Sequence, residues 1–335
     1  MKANRGGPEL FRFRVLLESG FRSGLDAVWQ GVGESLWLLL RPRSSIVRAC
    51  LSWPELESQV EVDLAWYGFF HKPLARVWHA LTSDEELSAW FDTNTRLYLE
   101  PGGELIALGG IQFRGAFERA TAREISPGRH ILWKWPLHGT DTMVTWTLSE
   151  EFGGTRLIVR HTVPYGARSL FSQQDANEAL AHFWKANIVC LKVWLDLGFP
   201  PEISRFGEKP KSDLNVSLNI PVSTERAWTL LNDAVARESW WPWSLQGVEE
   251  SIPSRKLVVR LAPEGGSVAQ GEMSVTLEGG PLARDCLVRV ESRAFNRGDQ
   301  GALQEAHERW LTALHAFAVF AVTGEKFPVW CGLNP

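Results

Sequence analysis

The segment "TRLIVRHT" (Thr155–Thr162) carries one residue able to move a proton, His161. Strand alternation sets His161 on the face of Leu157 and Val159, with Arg156, Ile158 and Arg160 opposite. An imidazole on an apolar face can bond a ligand carbonyl or act as general acid or base, with a pKa that burial moves. The plainer reading is a histidine at a sheet end, satisfied by a backbone group, since no second catalytic group stands beside it in sequence. Asn187 raises a similar question. It interrupts the helical stripe Leu180, Phe183, Trp184, Ile188, Leu191 and Leu195, and its amide needs a ligand or a backbone partner. Glu178 and His182 lie four apart, but no third ligand is evident and no metal is expected.

Tryptophan is abundant, 17 residues against three Tyr. Trp133 and Trp135 alternate with Ile131 on one face of "HILWKW", and Trp146 shares a face with Val144 and Leu148. With Phe113 and Phe117 they either line a ligand pocket or simply pack a core; so many large side chains in alternation call for a wide interior.

Other chemistries leave no mark. There is no P-loop, no GxSxG and no paired-carboxylate signature, and "GGELIALGG" runs into a strand rather than a helix. No cofactor is expected. A net charge of −4 gives no footprint for nucleic acid. Cys50, Cys190, Cys286 and Cys331 are scattered, without zinc spacing, and read as free thiols of a cytoplasmic protein. "SLWLLL" (Ser35–Leu40) is too short for a membrane span and badly placed for a signal peptide.

The elements around these residues follow from periodicity. Residues 1–58 read as an extension. Leu25, Val28, Trp29, Val32, Leu36, Leu39 and Leu40 suggest one amphipathic helix over about 23–40, and a misplaced start codon, with Val60 as the true start, is an alternative. From Val60 a strand leads to Pro73, which opens a helix with the stripe Leu74, Val77, Trp78 and Leu81. Ser83 caps a second short helix, with Glu86 completing a capping-box pattern. An antiparallel meander follows, with a turn at Gly153-Gly154, and then a long helix over about Gln174 to Leu197. Residues 198–212, with three prolines, read as a linker. Residues 213–323 repeat the order of strand, two short helices, strands and long helix, and 324–335 form a tail. "RVWHALTSDEELSAWF" (Arg76–Phe91) and "RAWTLLNDAVARESWW" (Arg226–Trp241) align without a gap, Trp90 falling on Trp240.

These phrases, with "FRGAFERATAREISPGRHILWKW" and "VTWTLSEEFGGTRLIVRHT", resemble the SRPBCC superfamily of START-like, Bet v 1-like helix-grip domains, in its Hsp90 ATPase activator homologue-1-like branch. The resemblance covers about 60–197 and is weaker over 213–323. It implies an α+β fold of two tandem helix-grip domains. Each is a curved antiparallel sheet wrapped around a long C-terminal helix, with two short helices after the first strand. It also implies a cavity between sheet and helix that holds hydrophobic small molecules, in a minority of members for cyclase or dehydratase chemistry. Residues 1–58 do not resemble the separate Hsp90-binding domain of the eukaryotic activator.

Three functional expectations result. The leading one is non-catalytic binding of a small hydrophobic molecule (lipid, polyketide or aromatic) in the first domain. Its lining would be Trp90, Phe91, Phe113, Phe117, Trp133, Trp135, Trp146, His161, Phe183, Trp184 and Asn187. The second is a cyclase, dehydratase or hydrolase using His161. The third is a co-chaperone or protein-interaction module with a protein partner. The second domain is expected to be more filled, with Trp240, Trp241 and Trp243 in its interior or at a domain interface.

Overall fold

The computed structural model describes residues 27–32, 35–40, 47–52, 61–92, 94–107, 119–137, 140–164, 176–207, 210, 213–238, 240–241, 245–261, 272–280, 284–292 and 300–325. The chain divides into two compact units, residues 1–62 with 163–170, and residues 63–162 with 171–335.

In the first unit β1 (Ala27–Val32), β2 (Ser35–Leu40) and β3 (Val47–Ser52) form an antiparallel meander in the order β1-β2-β3. The helix expected over 23–40 is therefore corrected to a hairpin. Val32 pairs with Ser35, so only Gly33 and Glu34 separate the strands. Gly31 and Gly33 each disfavour a helix by about 1 kcal/mol, whereas the β-branched and aromatic residues around them suit strands.

The second unit opens with β4 (Glu61–Phe70), α1 (Leu74–Thr82) and α2 (Asp84–Trp90). Its meander comprises β5 (Arg96–Leu97), β6 (Glu104–Ile106), β7 (Arg119–Ser126), β8 (His130–Leu137), β9 (Thr140–Glu151) and β10 (Gly154–Pro164). The sheet order is β4-β10-β9-β8-β7-β6-β5, with a bulge in β7 between Ala122 and Glu124 that bends the strand. The long helix α3 (Ala176–Lys192) continues as a π-helical turn over Val193–Leu197 and stops at Gly198, φ +76°. The second grip has β11 (Leu214–Ile220), α4 (Thr224–Asn232), α5 (Ala234–Arg237), β12 (Leu245–Ile252), β13 (Lys256–Leu261), β14 (Glu272–Gly279), β15 (Cys286–Ser292) and α6 (Gln300–Thr323). Its sheet runs β11-β15-β14-β13-β12. In both grips the first strand lies beside the last and the others fold back as a meander, which is the expected helix-grip architecture.

Local detail follows local chemistry. The β9–β10 turn falls on Phe152 (φ +48°) and Gly153 (φ +79°), one residue earlier than the glycine pair suggested. Two positive φ values match the twist of a two-residue hairpin. Gly154 instead starts β10, and a Cβ there would lie 2.3 Å from the Phe70 carbonyl oxygen. Ser83 caps α2 by accepting from the Glu86 N–H, but the Glu86 carboxylate does not complete the box. It accepts from Arg76 (2.7 Å) and from the Trp194 indole (2.7 Å), tying α1 and α2 to the end of the long helix. In α1 the buried residues are Val77, Ala80 and Leu81; Leu74 and Trp78 are only half-buried.

Within the expected linker, residues 198–207 are described and pack as a strap. Pro201, Ile203 and Phe206 are buried, and Phe206 stacks on His315 of α6 at 6.0 Å. The Glu202 N–H donates to His315 Nε2 (3.2 Å), and Arg205 donates to the Ser217 carbonyl. A second tie joins the grips at Lys192. This ammonium, 3% exposed, donates to the Phe69 carbonyl (2.5 Å) and pairs with Asp196 (2.9 Å) and with Glu325 beyond α6 (2.9 Å). Glu325 also meets His71.

Candidate functional site

The burial pattern of β8 alternates strictly, so Ile131, Trp133, Trp135 and Leu137 all point inward. β9 does the same with Thr142, Val144, Trp146 and Leu148, and β10 with Leu157, Val159 and His161. The inner face of α3 supplies Leu180, Phe183, Trp184 and Asn187. Trp184 bridges the layers, its ring 5.5 Å from Trp135, 6.5 Å from Trp146 and 6.3 Å from Trp66. Phe91, just after α2, reaches the same cluster, 6.5 Å from Trp135 and from Trp146 and 6.4 Å from Phe183. Most of these pairs meet edge to face, the arrangement that ring quadrupoles favour.

Nine of the expected lining residues thus converge: Trp90, Phe91, Trp133, Trp135, Trp146, His161, Phe183, Trp184 and Asn187 are all buried. Phe113 and Phe117 lie outside the described residues. Trp90, expected near a cavity mouth, is 3% exposed and its indole donates to the Ala80 carbonyl (2.9 Å), so it is anchored to its own helix pair.

His161 is held by side chains rather than by backbone. The Trp184 indole N–H donates to Nδ1 (3.1 Å). Nδ1 is therefore the acceptor and Nε2 carries the proton, which it donates to Thr142 Oγ1 (2.7 Å). The Thr142 hydroxyl in turn donates a hydrogen bond to the Trp135 carbonyl (2.5 Å). This chain fixes one neutral tautomer, and burial pushes the pKa down to about 3. Both ring nitrogens are occupied, so the imidazole is not poised to take or give a proton near neutral pH.

Trp133 Nε1, Trp146 Nε1 and Asn187 Oδ1 in this interior have no partner among the described residues. Asn187 satisfies only its amide donor, on the Phe183 carbonyl (2.8 Å). A buried unpaired group costs about 1–3 kcal/mol. The site thus presents two indole donors and one amide acceptor among aromatic walls, suited to a neutral group carrying both an acceptor and a donor.

The side chain of Glu178 lies outside the described residues. His182 is held deprotonated, down to about 3, by burial and then by the cations Arg309 and Lys185, which also oppose a bound metal ion. Among the described residues no three His, Cys, Asp or Glu side chains cluster as metal ligands, and no helix is long and apolar enough to cross a membrane. Cys190 and Cys286 are free, buried thiols whose pKa burial raises. Reading the sequence missed Thr142 as the partner of His161. Its only signal was a threonine in an otherwise apolar inward series.

Residues 71–196 match the family model described as "Activator of Hsp90 ATPase homolog 1-like protein". This segment is therefore similar to AHSA1-like domains. No curated protein matches the chain. Among solved structures, a protein of the dynemicin biosynthetic locus, DynU16, is 17% identical, with 78% of this chain and 98% of that chain covered at TM-score 0.36. The Aha1 dimer of Colwellia psychrerythraea is 16% identical over 41% of this chain and 98% of that one, TM-score 0.34. An HSP90 activator from Plasmodium falciparum is 19% identical over 42% and 96%, TM-score 0.32.

Proposed function

We propose that the AHSA1-like domain binds a small hydrophobic molecule of aromatic or polyketide type in its interior, as a carrier or sensor without chemistry of its own. The observation that carries this reading is the set of buried, unpartnered atoms Trp133 Nε1, Trp146 Nε1 and Asn187 Oδ1 within an aromatic interior. A ligand carbonyl accepting from the indoles and a ligand hydroxyl donating to the amide would recover the cost of leaving them bare. The closed hydrogen bonds of His161 speak against the acid–base alternative. The free thiols Cys190 and Cys286 are in keeping with a cytoplasmic setting.

The test is solvent extraction of the purified protein with mass spectrometry, then titration with 2-acetylnaphthalene while Trp emission is followed. The expected result is a recovered apolar compound, or probe uptake that the double variant Trp133→Phe, Trp146→Phe weakens by about tenfold, the equivalent of two lost neutral hydrogen bonds. An empty protein without probe uptake, or uptake indifferent to those substitutions, overturns it.

A second reading, a co-chaperone role, is favoured by the name of the matched family and by exposed apolar side chains, Phe152 at a hairpin tip and Tyr98 and Leu99 after β5. It predicts that the full chain changes the ATPase rate of an Hsp90 from the same organism. An unchanged rate removes it.

A further inference from the structure

The long helix α3 changes character before it ends. It is α-helical as far as Lys192, and Val193–Leu197 then forms a π turn. Such turns are rare, because the local chain prefers the α register, and they are frequent at functional sites. Nothing in the helix itself demands one here: no proline or glycine lies within residues 176–197. The cause must be sought in what the turn touches.

It touches both grips. The Trp194 indole donates to Glu86 Oε2 of α2 (2.7 Å), the oxygen that also accepts from Arg76 of α1 (2.7 Å). Two residues on, Asp196 pairs with Lys192 (2.9 Å), and both side chains are 3% exposed. Lys192 donates in addition to the Phe69 carbonyl of β4 (2.5 Å) and to Glu325 (2.9 Å). Glu325 follows Gly324, which closes α6 with its N–H on the Phe320 carbonyl (2.8 Å). One helical turn is thus bonded to the α1–α2 pair of the first grip and, through Lys192, to the end of the second. Neither Asp196 oxygen receives a hydrogen bond among the described residues, so its hold on Lys192 is one of charge and position.

The α and π registers are two discrete arrangements of the same residues, so the turn has two positions and not a continuous range. Its tertiary bonds keep it in the locally disfavoured one. Loss of the bond at either end lets the turn relax towards the α register. Trp194 and Asp196 share the turn, so that relaxation re-aims both, and the bond at the other end weakens with the first. The α2 end of this linkage also carries a consequence for the first interior. Phe91 directly follows α2 and packs on Trp135, Trp146 and Phe183, so a movement of α2 moves one wall of the aromatic cluster.

We propose that the π turn at Val193–Leu197 is a conformational joint that couples the α1–α2 pair of the first grip to the C-terminal end of α6 in the second: release of Glu325 loosens α2, and loosening of α2 releases Glu325. The coupling is reciprocal, as linkage requires. It needs no ligand in either grip.

The experiment is amide hydrogen exchange on the full chain. Phe91 N–H, bonded to the Leu87 carbonyl, reports the end of α2, and Gly324 N–H reports the end of α6. In the wild type at increasing low urea, the two amides are expected to share one opening transition, reached before the amides of β8 and β9 open. This measurement needs no variant to fold. Glu325→Gln should then speed exchange at Phe91 about tenfold, and Trp194→Phe should do the same at Gly324, the equivalent of one lost hydrogen bond. The double variant should exchange no faster at either amide than the faster single one. The proposal is overturned if Phe91 and Gly324 open independently in the wild type. It is equally overturned if each substitution acts only at its own end, or if the two effects multiply in the double variant. Failure to recover or bind an apolar compound defeats the first-grip reading and leaves this one standing.

Discussion

The two grips share an element order and a sixteen-residue phrase, yet their interiors spend hydrogen bonds in opposite ways. In the first, the ionisable group is closed off: His161 lies between the Trp184 indole and the Thr142 hydroxyl, and the bare atoms are two indoles and an amide oxygen. In the second, an imidazole nitrogen of His307 has no partner among the described residues, nor have the indoles of Trp240 and Trp241. Aligned positions carry different duties. Trp90 is an anchor and Trp240 is open; Phe91 joins the aromatic cluster, whereas Trp241 brings a donor. Strand order and apolar faces specify a grip, but the few polar atoms inside it specify what it can hold, and these vary independently of the scaffold.

The largest test of this contrast removes the tie between the grips. Lys192→Met leaves Asp196, with a side chain 3% exposed, as an uncompensated buried carboxylate and frees Glu325. Breaking such a pair costs about 3–5 kcal/mol. Urea unfolding should show the loss and separate into two transitions, one for each grip. A single unshifted transition would mean that the two interiors are not held together through Lys192.

Acid should act on both grips. Burial pushes His161 down to about 3 and His315 to about 4; the strap N–H of Glu202 occupies His315 Nε2, and its Nδ1–H donates to the Leu311 carbonyl. Unfolded imidazoles titrate near 6.5, so the unfolded chain takes up protons first as pH falls. Stability is full above about pH 6.5 and declines towards pH 3–4, with a slope approaching about 1.4 kcal/mol per pH unit for each buried imidazole. His161→Gln should remove one of the two first-grip shares of that slope, His182 keeping the other, and His315→Gln the share that pins the strap. Urea midpoints measured from pH 8 to 4 that keep the wild-type slope in both variants would refute the closed-imidazole picture.

The smallest effect concerns the caps. Ser83 and its aligned counterpart Asp233 each start the second short helix, Ser83 with one bond and Asp233 with two, to the N–H groups of Val235 and Ala236. Each replacement by Ala should cost about 1 kcal/mol. Thermal melts should show a somewhat larger loss for Asp233→Ala, and equal losses would erase this difference between the grips.

Much of this was legible in the chain. Period-two alternation put Trp133, Trp135, Trp146 and His161 on inner faces, and period 3.6 put Phe183, Trp184 and Asn187 on the helix that covers them, because apolar side chains must share a face to leave water. Pro73 and Ser83 marked the helix starts for reasons confined to a single turn. The apolar run before residue 41 was misread as a helix because a short run fits both periods and glycines tip the balance. What only the tertiary structure decided is which polar atoms find one another. Nothing local links His161 to Trp184 and Thr142, Lys192 to Glu325, or His315 to Glu202, since hydrogen-bond partners far apart in sequence are chosen by how the layers pack. For the same reason the sequence alone placed side chains on inner faces, while the fold determined which of their polar atoms are satisfied.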